Sequence, residues 1–155
     1  RRMSGSLQDE MSELLHESLH EGTARHPGES KSKKTAVFAN AYDFFYRWLR
    51  HMYKRRCGTS ERKWRADWYN CPEALSRITE LWRVWERSRT DKGDAMAVWW
   101  RDFCDPTMDR LMSPSGPFAE SETKCGYDEP LPCAIPPKGR FRDERNDEPY
   151  MVMKQ

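Results

Sequence analysis

Residues 72–89 read PEALSRITELWRVWERSR, and the architecture is decided there. Leu75, Ile78, Leu81, Trp82 and Trp85 recur at three- and four-residue steps, while Arg77, Glu80, Arg83 and Arg87 fall between them. Such spacing marks a helix with one buried and one wet face. Pro72 suits the first helical position, where its missing N–H would lack a partner in any case, and Glu73 complements the positive helix start. An amphipathic helix over 72–89 is therefore expected.

On the N-terminal side, residues 35–56 repeat the pattern. Val37, Phe38, Ala41, Tyr42, Phe45, Trp48, Leu49, Met52 and Tyr53 fall on one arc of about 160° at helical periodicity. Asn40, Asp43, Arg47, Arg50, His51 and Lys54 fall opposite, so a core helix with a basic outer stripe is expected, ended by Gly58, Thr59 and Ser60. On the C-terminal side, Gly93 marks a turn, and Met96, Trp99, Trp100, Phe103 and Cys104 mark a third helix. Asp105-Pro106 predicts a restart, because the residue before proline is pushed out of helical geometry and Asp is a favoured N-cap. A short fourth helix over 106–112 would follow, stopped by the Ser113-Pro114-Ser115-Gly116-Pro117 run. Phe118 is expected to fold back on the core.

The ends read differently. Leu7, Met11, Leu14, Leu15 and Leu19 have helical spacing between Ser6 and Glu21, and residues 22–34 have a linker composition. Beyond residue 119, prolines 130, 132, 136, 137 and 149 accompany almost no periodic apolar pattern, which predicts an extended tail with Tyr150, Met151, Val152 and Met153 as a short docking segment. The expected organisation is an N-terminal arm over 1–34, a helical domain over 35–119 and a Pro-rich extended tail over 120–155. The expected fold is all-α: a compact bundle of three main amphipathic helices plus a short fourth, with polar extended ends.

Composition agrees with one core. At 155 residues the chain is sized for a single domain. An apolar share of 37% against 34% charged would argue for partial disorder if the aromatics were spread evenly. Instead all seven tryptophans lie between Trp48 and Trp100. The longest apolar run, Ala95–Trp100, falls far short of the ~18 residues of a membrane helix, and no apolar stretch follows Arg1-Arg2 as in a secretion signal. A cytoplasmic protein with no membrane span is expected. Five cysteines without a C-x-x-C favour reduced thiols over a disulfide framework or zinc knuckle.

Several pieces between Phe38 and Ala119 occur together: Trp64 with Trp68-Tyr69, Pro72-Glu73-Ala74, Leu81-Trp82-x-x-Trp85-Glu86, Val98-Trp99-Trp100-Arg101-Asp102, Asp105-Pro106-x-Met108 and Gly116-Pro117-Phe118. In these the chain resembles an uncharacterised family, a domain of unknown function, of small Trp-rich proteins from plasmids, integrated conjugative elements and phages of high-GC Gram-positive bacteria. The resemblance implies a mobile-element setting and no particular activity. Relatives often carry His where this chain has Cys71, Phe103 and Thr107, so any acid–base or metal work by those His would be missing here.

Chemistry-bearing residues are sparse. Asp102, Asp105 and Asp109 could offer oxygens to a hard cation, but Asp105 is accounted for as an N-cap and Pro106 breaks the alignment. A Cys57–His51 or Cys71–His51 pair is conceivable, yet His51 sits on the polar helix face and nothing in the spacing selects it. Phosphate-loop, dinucleotide and metalloprotease motifs are absent from the sequence. No catalytic residue, metal or cofactor is expected, and the chain reads as a non-enzyme. Charge is the distinctive feature: residues 35–70 hold eight basic against three acidic side chains, while the chain as a whole is +2. Arg47, Arg50, Lys54, Arg55, Arg56, Arg62, Lys63 and Arg65 are the candidate contacts for nucleic acid or an acidic partner. A binding protein acting through protein–protein contact is the leading expectation. Direct DNA or RNA binding through the basic helix face, and inhibition of a host defence enzyme by a phage- or plasmid-encoded protein, are the alternatives.

Overall fold

The computed structural model describes residues 35–152. The leucine-patterned helix expected over 6–21, the linker over 22–34 and Met153 lie outside the described residues. Three helices form. The first, α1, spans 41–52 and combines an α turn Ala41–Phe44, a π-helical stretch Phe45–Leu49 and a last turn Arg50–Met52. The second, α2, is Pro72–Ser88, with Pro72 in its first turn and Arg77 bonded back to Glu73 at 3.1 Å. The third, α3, runs over 95–112 as Ala95–Val98, a π-helical stretch Trp99–Cys104 and Asp105–Met112.

The expected all-α bundle with polar extended ends is corrected by this arrangement. Among the described residues there are three helices rather than three plus a fourth, accompanied by an antiparallel ribbon of β1, Arg142–Asp143, and β2, Glu148–Pro149. Arg142 pairs with Pro149 and Asp143 with Glu148, and the connecting turn ends on Asp147 at φ 55°. Much of the remaining chain is irregular yet carries core residues.

Two local causes explain the helix boundaries. α1 starts at Ala41 because Asn40 caps it: the Asn40 side-chain oxygen accepts from the Asp43 amide at 2.8 Å, and Asp43 Oδ2 accepts from the Ala39 amide at 2.9 Å. Val37, expected on the buried arc, is thus left outside the helix and 43% exposed. No restart occurs at Asp105-Pro106, since Cys104 and Asp105 both keep helical dihedrals. The Asp105 amide bonds to Trp100 O, five residues back, and this widened turn precedes Pro106 where a uniform α-helix would meet its ring.

The core is aromatic on both sides of α1. On one side Phe44, Trp48, Trp85, Trp99 and Trp100 meet with ring centroids 4.8–6.4 Å apart where the three helices cross. Trp99 Nε1 donates to Leu81 O at 3.0 Å, which satisfies the one polar atom of a fully buried indole. On the other side Tyr42, Phe45, Trp64, Trp68 and Phe118 cluster, and Phe118 does fold back, 5.1 Å from Trp64.

Residues 120–152, set apart in sequence as a tail, complete this second cluster. Leu131 is fully buried, and its amide donates to Arg50 O at 3.1 Å. Trp64 Nε1 donates to Pro132 O at 2.9 Å, the Ala134 amide to Ala66 O at 2.8 Å, and the Tyr42 hydroxyl to Ala134 O at 3.1 Å. Further along, Phe141 stacks on Tyr42 at 5.3 Å, and the Tyr150 hydroxyl donates to Asp43 Oδ1 at 2.8 Å. The segment is a strap laid along α1, each anchor filling a pocket or satisfying a buried polar atom.

The reading of five reduced thiols is also corrected. Cys57 and Cys125 form a disulfide, whereas Cys71, Cys104 and Cys133 are free.

Candidate functional site

The eight cations expected to form one surface separate into two groups. Arg47 reaches the buried Asp43 at 3.4 Å and lies over Phe38 at 5.5 Å. Arg50 donates through Nε to Leu131 O at 2.9 Å and lies over Tyr46. Arg55 donates to Lys54 O at 2.9 Å and stacks 3.8 Å from the Tyr53 centroid. Arg65 pairs with Asp67 at 2.8 Å and lies over Phe118. These four guanidiniums are occupied by the protein's own carbonyls, carboxylates and rings. Lys54, Arg56, Arg62 and Lys63 make no side-chain hydrogen bond or ion pair among the described residues.

Of the second group, Arg56 and Arg62 line a cleft that charge counting could not locate, whereas Lys54 and Lys63 do not. Two adjoining hollows of about 470 and 290 Å³ share Arg56 and Thr59 as a common wall. The larger is completed by Lys124 and Glu129 from the strap, and the smaller by Arg62, Glu61 and Tyr127. Local backbone chemistry shapes the inner wall: the Gly58 and Thr59 amides both donate to Arg62 O, at 3.0 and 3.2 Å, while Thr59 Oγ1 accepts from the Glu61 and Arg62 amides. The resulting tight loop projects Arg56 and Arg62 toward the same opening. Lys124 and Tyr127 were missed by sequence reasoning because they lie more than sixty residues downstream, in a stretch without periodicity. Tyr127, 65% exposed, is the most open aromatic side chain among the described residues.

The tryptophans interleaved with Arg62, Lys63 and Arg65 in the sequence are not at the surface. Trp64 and Trp68 are fully buried, so neither can stack on a base.

The other chemical candidates are dispersed. Asp102 is tied to Arg101 by contacts of 2.8 and 3.2 Å, and Asp109 accepts from the Tyr53 hydroxyl at 3.5 Å. Among the described residues no three of His, Cys, Asp and Glu are grouped as a metal ion would need. Cys57 is bonded to Cys125 and so is not free to pair with His51. Burial pushes the Cys104 thiol up to about 12, and burial likewise raises Cys133, which keeps both protonated at neutral pH. His51 is lowered by local desolvation and then by the Arg50 cation, with Lys54 adding to it.

No described helix is long and apolar enough to cross a membrane. The geometry defines a class: a small three-helix protein, strapped by its own C-terminal segment, with a cationic cleft where strap and loop meet. The chain belongs to the DUF4913 family, a domain of unknown function, whose model matches residues 38–137. That span runs past residue 119 and takes in the Cys125 to Ala134 part of the strap. No curated protein and no solved structure matches the chain.

Proposed function

We propose that this protein is a non-enzymatic, cytoplasmic accessory binding protein of a mobile genetic element, and that it engages an acidic face of a partner protein through the cleft around Arg56, Arg62 and Lys124. One observation carries the reading: where the other arginines of the basic segment are consumed internally, Arg56, Arg62 and Lys124 line one opening and make no side-chain hydrogen bond or ion pair among the described residues. A cation that makes no ion pair within its own chain keeps its full capacity to pair with an incoming carboxylate, and such contacts set orientation and encounter rate.

A second reading has its own support. Exposed Tyr127 in the smaller hollow, beside Arg56 and Arg62, has the composition of a single-strand binding groove, in which a ring stacks on a base while cations follow the phosphates. The duplex version through the Arg47 and Arg50 helix face is disfavoured, since both side chains are already engaged.

The two readings separate in one titration. Fluorescent poly-glutamate and a single-stranded oligonucleotide are each titrated at low and high salt. The acidic-partner reading expects salt-sensitive binding of poly-glutamate, lost in an Arg56→Glu/Arg62→Glu variant and retained in Arg47→Glu. Tighter binding of the oligonucleotide, weakened by Tyr127→Ala, selects the second reading. Absence of binding to both at low ionic strength rejects the cleft as a binding site.

A further inference from the structure

The one disulfide of the described residues lies in the floor of the cationic cleft. Cys57 and Cys125 are 68 residues apart in sequence, and both line the larger hollow. Their backbones pair as an isolated antiparallel bridge, Cys57 donating to Cys125 O at 3.0 Å and Cys125 to Cys57 O at 3.2 Å. Next to it, Gly58 at φ +82° approaches the opposite segment so closely that an added Cβ would stand 2.6 Å from Thr123 O. The approach requires glycine, and it delivers Lys124 to the hollow that holds Arg56.

The link is also the main hold on this part of the strap. Ser121 Oγ is fastened to Trp64 O at 2.6 Å, and Leu131 to Arg50 O at 3.1 Å. Between those two anchors, among the described residues and apart from the Thr123 amide donating to Ser121 Oγ at 3.3 Å, segment 122–130 is joined to the rest of the protein by side-chain covalent bonds or hydrogen bonds only at the disulfide, its bridge and the sulfur contacts beside it.

Those sulfur contacts suit the opposite redox state. Cys125 Sγ lies 3.1 Å from Arg55 O, and Cys57 Sγ lies 3.8 Å from Thr123 O. A disulfide sulfur has no hydrogen to offer a carbonyl, whereas a thiol has one. Reduction therefore replaces one covalent bond with two S–H···O contacts and leaves neither sulfur without a polar neighbour.

We infer that the Cys57–Cys125 disulfide is a redox latch on the cleft. Oxidised, it clamps segment 122–130 and holds Lys124 and Tyr127 beside Arg56 and Arg62. Reduced, it leaves the segment held only by the two-bond backbone bridge and weak S–H···O contacts, so that the segment opens more often and carries one cation and one ring out of the site. The agent is a dithiol reductant entering through the larger hollow. Its thiolate attacks Cys125 Sγ, on the more exposed of the two residues at 7% against 2%. The S–S bond breaks, its electron pair leaves on Cys57 Sγ, and that sulfur takes a proton. The second thiolate of the reductant then displaces Cys125, which is protonated in turn; two electrons and two protons reach the protein, and the dithiol becomes its own disulfide. The consequence for binding rests on the acidic-partner reading, while the latch itself does not.

The test uses the full chain, oxidised or treated with dithiothreitol. Thiol alkylation and peptide mapping should find residues 57 and 125 linked in the oxidised form. Trypsin cleavage after Lys124 should be about tenfold faster once the link is reduced, because local opening governs access. Poly-glutamate affinity at low salt should fall about three- to tenfold on reduction, as expected for the loss of one or two contacts. A Cys57→Ser/Cys125→Ser variant should behave as the reduced protein under oxidising conditions; if it fails to fold, the reduced wild-type chain supplies the same comparison. Free thiols at both positions after oxidation, or unchanged cleavage and affinity between the two forms, overturn the latch. Faster cleavage with no poly-glutamate binding in either form upholds the latch and rejects the binding reading instead.

Discussion

A single carboxylate, Glu86, holds the start of the described chain onto α2. Its oxygens accept from the Val37 and Phe38 amides at 2.9 and 3.0 Å, from Arg89 Nε at 2.8 Å and from Trp82 Nε1 at 3.0 Å. Burial by itself would raise this carboxyl, but the four donors outweigh it and hold the group below its ordinary value of 4.5. A depressed carboxylate contributes stability that is present above its unfolded value and is lost as pH falls through the folded one. Glu86→Gln is therefore expected to cost about 1–3 kcal/mol at neutral pH, with the penalty shrinking toward zero in acid below the folded value. Urea unfolding of both proteins across that pH range checks this, and an equal penalty at both ends would count against it. Charge shows the same dependence on individual neighbours. Composition located the excess in residues 35–70, but only positions in space separate Arg50, spent on Leu131 O, from Arg56, which lines the cleft and makes no side-chain hydrogen bond or ion pair among the described residues.

At the scale of elements, α2 was legible because its pattern is local: of the positions the spacing named, Ile78, Leu81, Trp82 and Trp85 are buried and Leu75 is half-buried, while buried Ala74 was not among them. The strap was not. An extended segment anchors by isolated side chains at irregular intervals, so it leaves no period to read. Leu131→Ala is expected to destabilise the protein by about 2–5 kcal/mol, the cost of emptying a fully buried leucine site. Ending the chain after Ala119, the boundary that periodicity suggests, would uncover Tyr42, Trp64 and Trp68. The shortened protein should lose its cooperative unfolding transition and bind a hydrophobic dye, and retention of a sharp transition would show the strap to be dispensable. α3 illustrates the converse error, in which a strong local signal at Asp105-Pro106 was overridden because one wide turn let the helix continue under the packing of Trp99, Met108 and Leu111.

For the whole molecule, the disulfide closes a loop that contains α2 and α3. Loop-closure entropy for a separation of 68 residues gives about 4 kcal/mol in favour of the linked chain. The oxidised protein, whose unfolded chain stays cross-linked, should accordingly unfold at higher urea than the reduced one, and coincident midpoints would remove the stabilising role. A difference of that size also makes reduction a physically meaningful signal rather than a local chemical change.

Sequence alone determined the three amphipathic runs, the return of Phe118 and the place of the charge excess, because each depends on spacing or composition within one stretch of chain. Tertiary structure decided the strap, the ribbon, the Cys57–Cys125 pairing and the membership of the cleft. The strap anchors, the disulfide and the cleft join residues far apart in the chain, where partner choice is set by which surfaces the core leaves uncovered, and the ribbon, though local, has strands too short to show a period.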